Sequence, residues 1–335
     1  MAFITGANGM LGTHLAYTLL SNDEQVYALK RKNSDLSNMK IIFELYTQDA
    51  SNLLDKIHWI DGDVLDFHQM DEIIAKHQQV YHTAALVSFH KSDHDKIMDT
   101  NVQGTINIAQ ACIKNNARLI YCSSIASLGR GMGVLPTTEN DYRTGTYKSS
   151  VYSESKFIAE QEIWRAIAEG LNAVIINPSV IIGPGDWSKS SAQLFKTVSK
   201  GLRFYTNGSN GYVDVRDVAE IMQQLMHSNI HSERFILSAE NVSYKKLFSE
   251  IANALNLKPP TILANKWMSE LSWRLMSMWA FLSHSTPLLT KETAKSANTY
   301  YQYSSDKIMK SLNYKFIPIN ASINHAAKAF IKQSQ

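Results

Sequence analysis

Thr5-Gly6-Ala7-Asn8-Gly9-Met10-Leu11-Gly12 is the stretch that decides how this 335-residue chain is read. A short apolar run, Ala2–Thr5, leads into it and an amphipathic stretch, Met10–Leu20, leads out, so the glycines fall at a strand-to-helix turn. The first glycine permits the tight turn, the second lets backbone amides approach a phosphate, and the third lets helix and strand pack closely. The helix N-terminus beyond favours negative charge. These residues predict a dinucleotide site, with Gly6, Asn8, Gly9, Met10, Leu11 and Gly12 around the pyrophosphate.

Working outward, apolar runs at Gln25–Leu29, Ile57–Ile60, Val80–Thr83 and Arg118–Cys122 alternate with helical patterns near Phe67–Lys76 and Asp95–Asn115. The long stretch from Arg31 to Lys56 should hold a further helix around Met39–Tyr46. Such alternation predicts an α/β fold: a Rossmann-type, doubly wound parallel sheet. A helix from Tyr152 to Glu169 and a strand Ala173–Asn177 continue the series, and Gly183-Pro184-Gly185-Asp186 breaks it. We expect a coenzyme-binding domain over 1–177 and about 212–230. A smaller mixed α/β substrate domain takes about 178–211 and 231–335, interleaved with the first.

Composition narrows the function classes. Hydrophobic residues make up 44% and charged ones 19%, the balance of a folded globular enzyme rather than a disordered chain. The net charge is +3 with no basic stripe, so no nucleic acid is expected as a partner. Two cysteines, Cys112 and Cys122, cannot make a disulfide framework, and both read as buried thiols. With no basic leader ahead of the first strand and no apolar run of about 18 residues, no membrane span is expected and the cytoplasm is the expected location. The segment 266–283 is apolar on most sides and reads as a buried helix or lid. A homodimer contact and peripheral membrane attachment are the alternatives.

The second strand ends in Leu29-Lys30-Arg31-Lys32, where NAD-binding folds commonly carry an acid for the ribose hydroxyls. Cations there suit a 2′-phosphate, so Lys30 and Arg31 point to NADP over NAD. Ser124 closes the strand Arg118–Cys122, and Tyr152 and Lys156 open the next predicted helix, where spacing i, i+4 puts both on one face. Phenol has an unperturbed pKa near 10, and a neighbouring ammonium would lower it. We therefore expect Tyr152 to move a proton, Lys156 to tune it and hold the nicotinamide ribose, and Ser124 to orient the substrate oxygen. A second Tyr-x-x-x-Lys, Tyr303 to Lys307, lacks these surroundings and reads as accidental.

Together with Asp61-Gly62-Asp63-Val64, His82-Thr83-Ala84-Ala85, Asn101-Val102-Gln103-Gly104-Thr105 and Asn177-Pro178-Ser179-Val180, these residues resemble the extended short-chain dehydrogenase/reductase family over most of the chain. Ser123–Gly129, Asn177–Asp186 and Tyr212–Ala219 look most like its branch of dihydroflavonol reductase-like and 3β-hydroxysteroid dehydrogenase-like enzymes. The resemblance implies an NADP-dependent oxidoreductase interconverting a carbonyl and an alcohol on a small, hydrophobic substrate. It also implies that Asp63 and Val64 flank the adenine, and that Thr83, Ala84 and Ala85 line the coenzyme. Asn101 would brace the site, and Pro178, Ser179 and Val180 would pack near the nicotinamide. The first strand is short, which leaves a start upstream of Met1 as one explanation.

Rivals share the glycine turn. A nucleotide-sugar dehydratase needs an extra acid and base after the serine, where Ile125 and Ala126 stand instead. A nucleotide-sugar epimerase with tightly bound NAD needs the same trio and stays open as an alternative, as does a non-catalytic coenzyme-binding protein. Ser88, Phe89, Ile125 and Trp187 are the substrate-side candidates. His82, His90 and His94 form no metal-ligand pattern, and no metal is expected.

Overall fold

The computed structural model of the chain describes residues 1–88, 91–129, 135–143, 150–264 and 297–334. Phe89 and the apolar segment 266–283 lie outside these residues.

Seven parallel strands form the central sheet of the described residues, in the order β10-β6-β5-β4-β1-β2-β3. They are β1 (Ala2–Thr5), β2 (Val26–Lys30), β3 (Ile57–Asp61), β4 (Gln79–His82), β5 (Arg118–Cys122), β6 (Ala173–Pro178) and β10 (Glu233–Leu237). Helices α1 (Met10–Ser21), α4 (Phe67–Ile74), α6 (Gly104–Lys114), α7 (Val151–Ala168) and α9 (Val215–His227) flank it. The two-residue period of the strands sorts the core. Ile4, Tyr81, Ile120 and Val174 pack with Leu15 and Leu19 of α1 and Met222 and Leu225 of α9. Their neighbours Phe3, Val80, Leu119, Tyr121 and Ile175 pack on the other face with Met70, Ile108 and Ile163. Both faces are covered, which is why these strands read as continuous apolar runs.

A three-stranded sheet, β11-β9-β7, stands beside the large one. Its members are β7 (Val180–Ile182), β9 (Ser209–Asp214) and β11 (Glu240–Ser243). Phe195, Leu247, Ile251, Ile319 and Ile323 fill its own core. The expected return to the large sheet near Tyr212 is corrected in detail. Tyr212 lies in β9 of the small sheet, and the chain rejoins the large core through α9 and then β10. The large-sheet segment thus runs to Leu237, past the expected boundary at 230. An alternating apolar strand looks the same whichever sheet it joins.

The expected helix Asp95–Asn115 is interrupted. Short helix α5 (His94–Met98) and α6 are joined by a π-helical turn, Asp99–Gln103, whose Asn101 side chain bonds the backbone of Leu86 through both amide atoms. Between β2 and β3 the single expected helix is two, α2 (Ser37–Phe43) and α3 (Ala50–Asp55). Cys112 and Cys122 are buried free thiols. No helix among the described residues is long and apolar enough to cross a membrane.

Burial holds two histidines neutral: His14 is pushed down to about 4 and His82 to about 3. An unfolded histidine titrates near 6.5, so below that pH the unfolded chain binds protons that the native state refuses. The stability these groups contribute is complete above pH 6.5 and is lost as pH falls towards 4 and 3. Denaturant unfolding at stepped pH should show the native state losing about 3 kcal/mol from His14 alone between pH 7 and 4.

Candidate functional site

Thr5 ends β1 and Gly6 turns away from it at φ +74°, a backbone setting that suits glycine. A Cβ on Gly6 would come within 2.7 Å of the Ala84 backbone, and one on Gly12 within 2.1 Å of the Gly6 carbonyl oxygen. Both positions therefore exclude side chains on steric grounds. Gly9 N donates to Gly6 O at 3.0 Å, and Thr13 Oγ1 closes the turn on Ala7 O at 3.0 Å. At Gly9 itself the nearest atom to an added Cβ is Gly6 O at 3.3 Å, and the residue is exposed. Helix α1 starts after Gly9 with no side-chain cap and no acid in its first turn. Its leading amides are left for an anion. Met10 packs towards Gly185, Leu11 is buried in the core, and Asn8 reaches Asp35 O at 3.4 Å.

The loops after β1 and β4 are neighbours because the strand order reverses between these strands. Thr83 Oγ1 donates to Thr5 O at 2.7 Å, and Ala84 N to Thr5 Oγ1 at 3.3 Å. His82 is buried between Thr5 Oγ1 (2.6 Å) and Thr105 Oγ1 (3.0 Å), a packed strand residue as expected. Ala84 and Ala85 are half-buried. Asp63 accepts from Leu65 N at 3.1 Å, and Val64 is buried with its carbonyl held by Asn107 at 2.9 Å.

At the edge of β2 the structure corrects the expected charge pattern. Lys30 Nζ lies 2.5 Å from Asp61 Oδ1, contributed by the matching position of β3. An acid does stand there, supplied by the neighbouring strand. Arg31 and Lys32 are exposed beside it.

Ser124 follows β5 and caps a short turn, Ile125–Ser127, by accepting from Ala126 N at 3.1 Å. Tyr152 stands on the first turn of α7, whose start is set by Ser150 capping Ser153 N. The Tyr152 and Ser124 side chains are hydrogen-bonded, so the strand end and the helix start do bring them together. Lys156, 3% exposed, donates to Cys122 O at 2.8 Å and stands 5.1 Å from the Tyr121 ring. The pKa order differs from expectation. Burial pushes Tyr152 up to about 12 against the pull of the Ser124 hydrogen bond, and no lowering by Lys156 is found. Burial lowers Lys156, with interactions with Cys122 and Glu160 opposing it.

Asn101 is 1% exposed and donates to Ser155 Oγ at 2.9 Å, tying the β4 loop to α7 between Tyr152 and Lys156. Pro178 closes β6, Ser179 N donates to Leu237 O at 2.9 Å, and Val180 opens β7. The substrate-side candidates scatter. Ile125 adjoins Ser124, and Ser88 Oγ donates to Asp93 at 2.6 Å. Trp187 packs its indole edge-on against Phe195 and Phe330 and donates to Gln333. Lys307 of the second Tyr-x-x-x-Lys is engaged with Glu233 (2.5 Å) and Arg234 O (2.9 Å).

Sequence reasoning missed a buried polar cluster under the trio. Glu160, eight residues after Tyr152, receives Ser123, Ser127, Asn177 and Arg234. Its signal was available: a charge at i+4 from Lys156 on the face of the helix that must be buried.

A model of the NAD dependent epimerase/dehydratase family matches residues 2–237. Over 98% of this chain and 94% of the relative, the sequence is 28% identical to a putative dihydroflavonol 4-reductase of Synechocystis sp.. It is 23% identical to cinnamoyl-CoA reductase 1 of Petunia hybrida, over 97% and 90% of the two chains. The crystal structure of gox2253 superposes with a TM-score of 0.83 at 26% identity, covering 99% of this chain and 98% of that one. The Bordetella bronchiseptica enzyme WbmH in complex with NAD+ shares the fold at TM-score 0.75 and 19% identity, covering 100% and 99%.

The glycine geometry separates two substitutions. Gly12→Ala forces a methyl group into a backbone carbonyl and should destabilise the protein by about 1–3 kcal/mol or more. Gly9→Ala meets one tighter-than-usual contact, Gly6 O at 3.3 Å, at an exposed position with negative φ, and should cost clearly less than Gly12→Ala, within about 1 kcal/mol. Urea denaturation of the two variants beside the parent checks the contrast.

Proposed function

We propose that this chain reduces the carbonyl of a small, hydrophobic substrate to an alcohol, on the premise that it belongs to the NAD dependent epimerase/dehydratase family. Within that family it is an NAD(P)-dependent oxidoreductase of the extended short-chain dehydrogenase/reductase type. We assign Ser124, Tyr152 and Lys156 as the reacting groups and NADPH as the preferred coenzyme. The observation that carries this reading is the Ser124–Tyr152 hydrogen bond at the carboxyl edge of β5, with Lys156 buried on the same face of α7.

The turn at Gly6–Gly12 suits a dinucleotide: it is exposed at Gly9, uncapped and free of acids. The amides of Met10 and Leu11 would hold the pyrophosphate and Asp63 and Val64 the adenosine. Thr83, Ala84, Ala85 and Pro178 to Val180 would line the remainder. Bound there, the dinucleotide supplies the hydride that reaches the carbonyl carbon.

The chain's own groups handle the oxygen. With its pKa raised to about 12, Tyr152 keeps its proton across neutral pH and can donate it from Oη to the substrate oxygen. Ser124 holds that oxygen beside Tyr152. The Lys156 ammonium, sequestered from water, is placed to stabilise the tyrosinate left behind and to hold the ribose. Solvent then returns a proton to Tyr152. The names of the relatives support the reductive direction: dihydroflavonol 4-reductase, cinnamoyl-CoA reductase and tetraketide alpha-pyrone reductase. Free buried thiols fit a reducing compartment, and we place the protein in the cytoplasm.

For the coenzyme, Lys30 is engaged with Asp61, so the grip on a 2′-phosphate falls chiefly to Arg31. A charge-assisted contact of this kind contributes roughly 1.5–3 kcal/mol, about ten- to a hundredfold in affinity. Calorimetric titration should therefore show NADPH binding more tightly than NADH, with Arg31→Ala weakening NADPH alone. Equal affinities, or tighter NADH, would return the epimerase reading.

Turnover of hydrophobic ketones and aldehydes with NADPH tests the chemistry. Tyr152→Phe should lower kcat by about 10²–10⁴-fold, the usual worth of a general acid, with coenzyme affinity retained. Near-parental turnover in that variant would remove Tyr152 from the mechanism.

A further inference from the structure

The proton-transfer groups rest on a buried carboxylate that takes no part in the transfer. Glu160 Oε2 lies 2.5 Å from Ser123 Oγ, 2.6 Å from Ser127 Oγ and 2.7 Å from Asn177 Nδ2. Its Oε1 lies 3.1 Å from Arg234 Nη1, and the two charged side chains are only 1% and 7% exposed. Three of these partners converge again on Ser124. Ser123 precedes it in the chain, while Ser127 Oγ (2.7 Å) and Asn177 Nδ2 (3.1 Å) both reach the Ser124 carbonyl oxygen. Arg234 is itself locked, donating from Nε to Glu139 O at 2.9 Å, and Glu139 accepts from Ile236 N at 2.8 Å.

We infer that Glu160 is the positioning residue that holds Ser124 against Tyr152. The inference rests on the assignment of Ser124, Tyr152 and Lys156 as the reacting groups. Tyr152, Lys156 and Glu160 follow one another at intervals of four along α7, so one helix face carries the proton donor, the ammonium and the anchor. The Ser124 turn belongs to a different element, at the end of β5. A single carboxylate joins the two elements and adds β6 and β10 through Asn177 and Arg234. A carboxylate suits this place, because Ser123, Asn177 and the Ser127 hydroxyl, whose one proton is shared with the Ser124 carbonyl oxygen, converge on Oε2 while Arg234 takes Oε1. A glutamine offers one acceptor oxygen and turns an NH2 against a donor. For stability alone the pair is a poor choice, since an apolar replacement of a buried ion pair is often as good or better. The geometry it imposes on Ser124 supplies the reason for keeping it.

A double-mutant cycle separates positioning from general support. Glu160→Gln should lower kcat by roughly 10²-fold, the scale of a misplacement near 1 Å, while coenzyme Kd stays within about threefold. In a Ser124→Ala background the same change should leave the residual rate within about threefold, because the group it positions is gone. An equal loss in both backgrounds, or near-parental turnover of Glu160→Gln, would overturn the inference. If Glu160→Gln does not fold, Ser127→Ala removes one hydroxyl of the same linkage and enters the same cycle. It should lose about tenfold in the parent and nothing in Ser124→Ala. Should Ser124→Ala itself cost no turnover, the assignment of the reacting groups fails instead. A crystal structure of the Glu160→Gln or Ser127→Ala protein then decides the anchor separately, since an unmoved Ser124–Tyr152 contact would count against it.

Discussion

The seam between β1 and β4 is the constraint on which the rest of the molecule depends. Parallel strands whose connections leave on opposite faces open a crevice at the reversal of strand order. Here the crevice floor is closed by Thr5, which bonds His82, Thr83 and Ala84, and by Gly6, which touches the Ala84 backbone. The phosphate turn and the β4 loop are thereby fixed to one another before any ligand arrives. His82 belongs to this seam and not to any chemistry. Burial holds it neutral, so it can serve both threonine hydroxyls without bringing a charge into the crevice.

On the other side of β4 the organising device is electrostatic. Glu160 and Arg234 are ionisable groups taken out of water, which is costly unless every lone pair and proton finds a partner. The cluster approaches that condition by recruiting Ser123, Ser127, Asn177 and the carbonyl of Glu139, with Asn177 Oδ1 left unpartnered. A network so densely bonded tolerates little displacement. The same low-polarity surroundings raise Tyr152 and lower Lys156, so the environment that rigidifies the site also sets which proton is available in it.

The coenzyme edge follows a different logic, since it is exposed and its charges are screened. Lys30 reads in sequence as one of three consecutive cations. In the sheet, register places Asp61 directly opposite, and the ion pair takes Lys30 out of the count of free charges. On the proposed NADPH reading, selectivity would then depend on Arg31 and its neighbour in the turn.

Much of this was legible in the chain itself. Gly6 and Gly12 announce a strand-turn-helix because Gly6 takes a positive φ and Gly12 lies against the Gly6 carbonyl, and both constraints are local. The parallel sheet follows from the alternation of apolar runs and amphipathic helices. Tyr152 and Lys156 share a face because helix geometry is local too. What lay beyond the sequence were relations between distant segments: Asp61 opposite Lys30, Glu160 under Ser124, Trp187 in the small core and β10 at the sheet edge. Each is decided by which surfaces meet when the sheet closes. Burial and pairing are sums over residues far apart in the chain, and only the tertiary structure adds them.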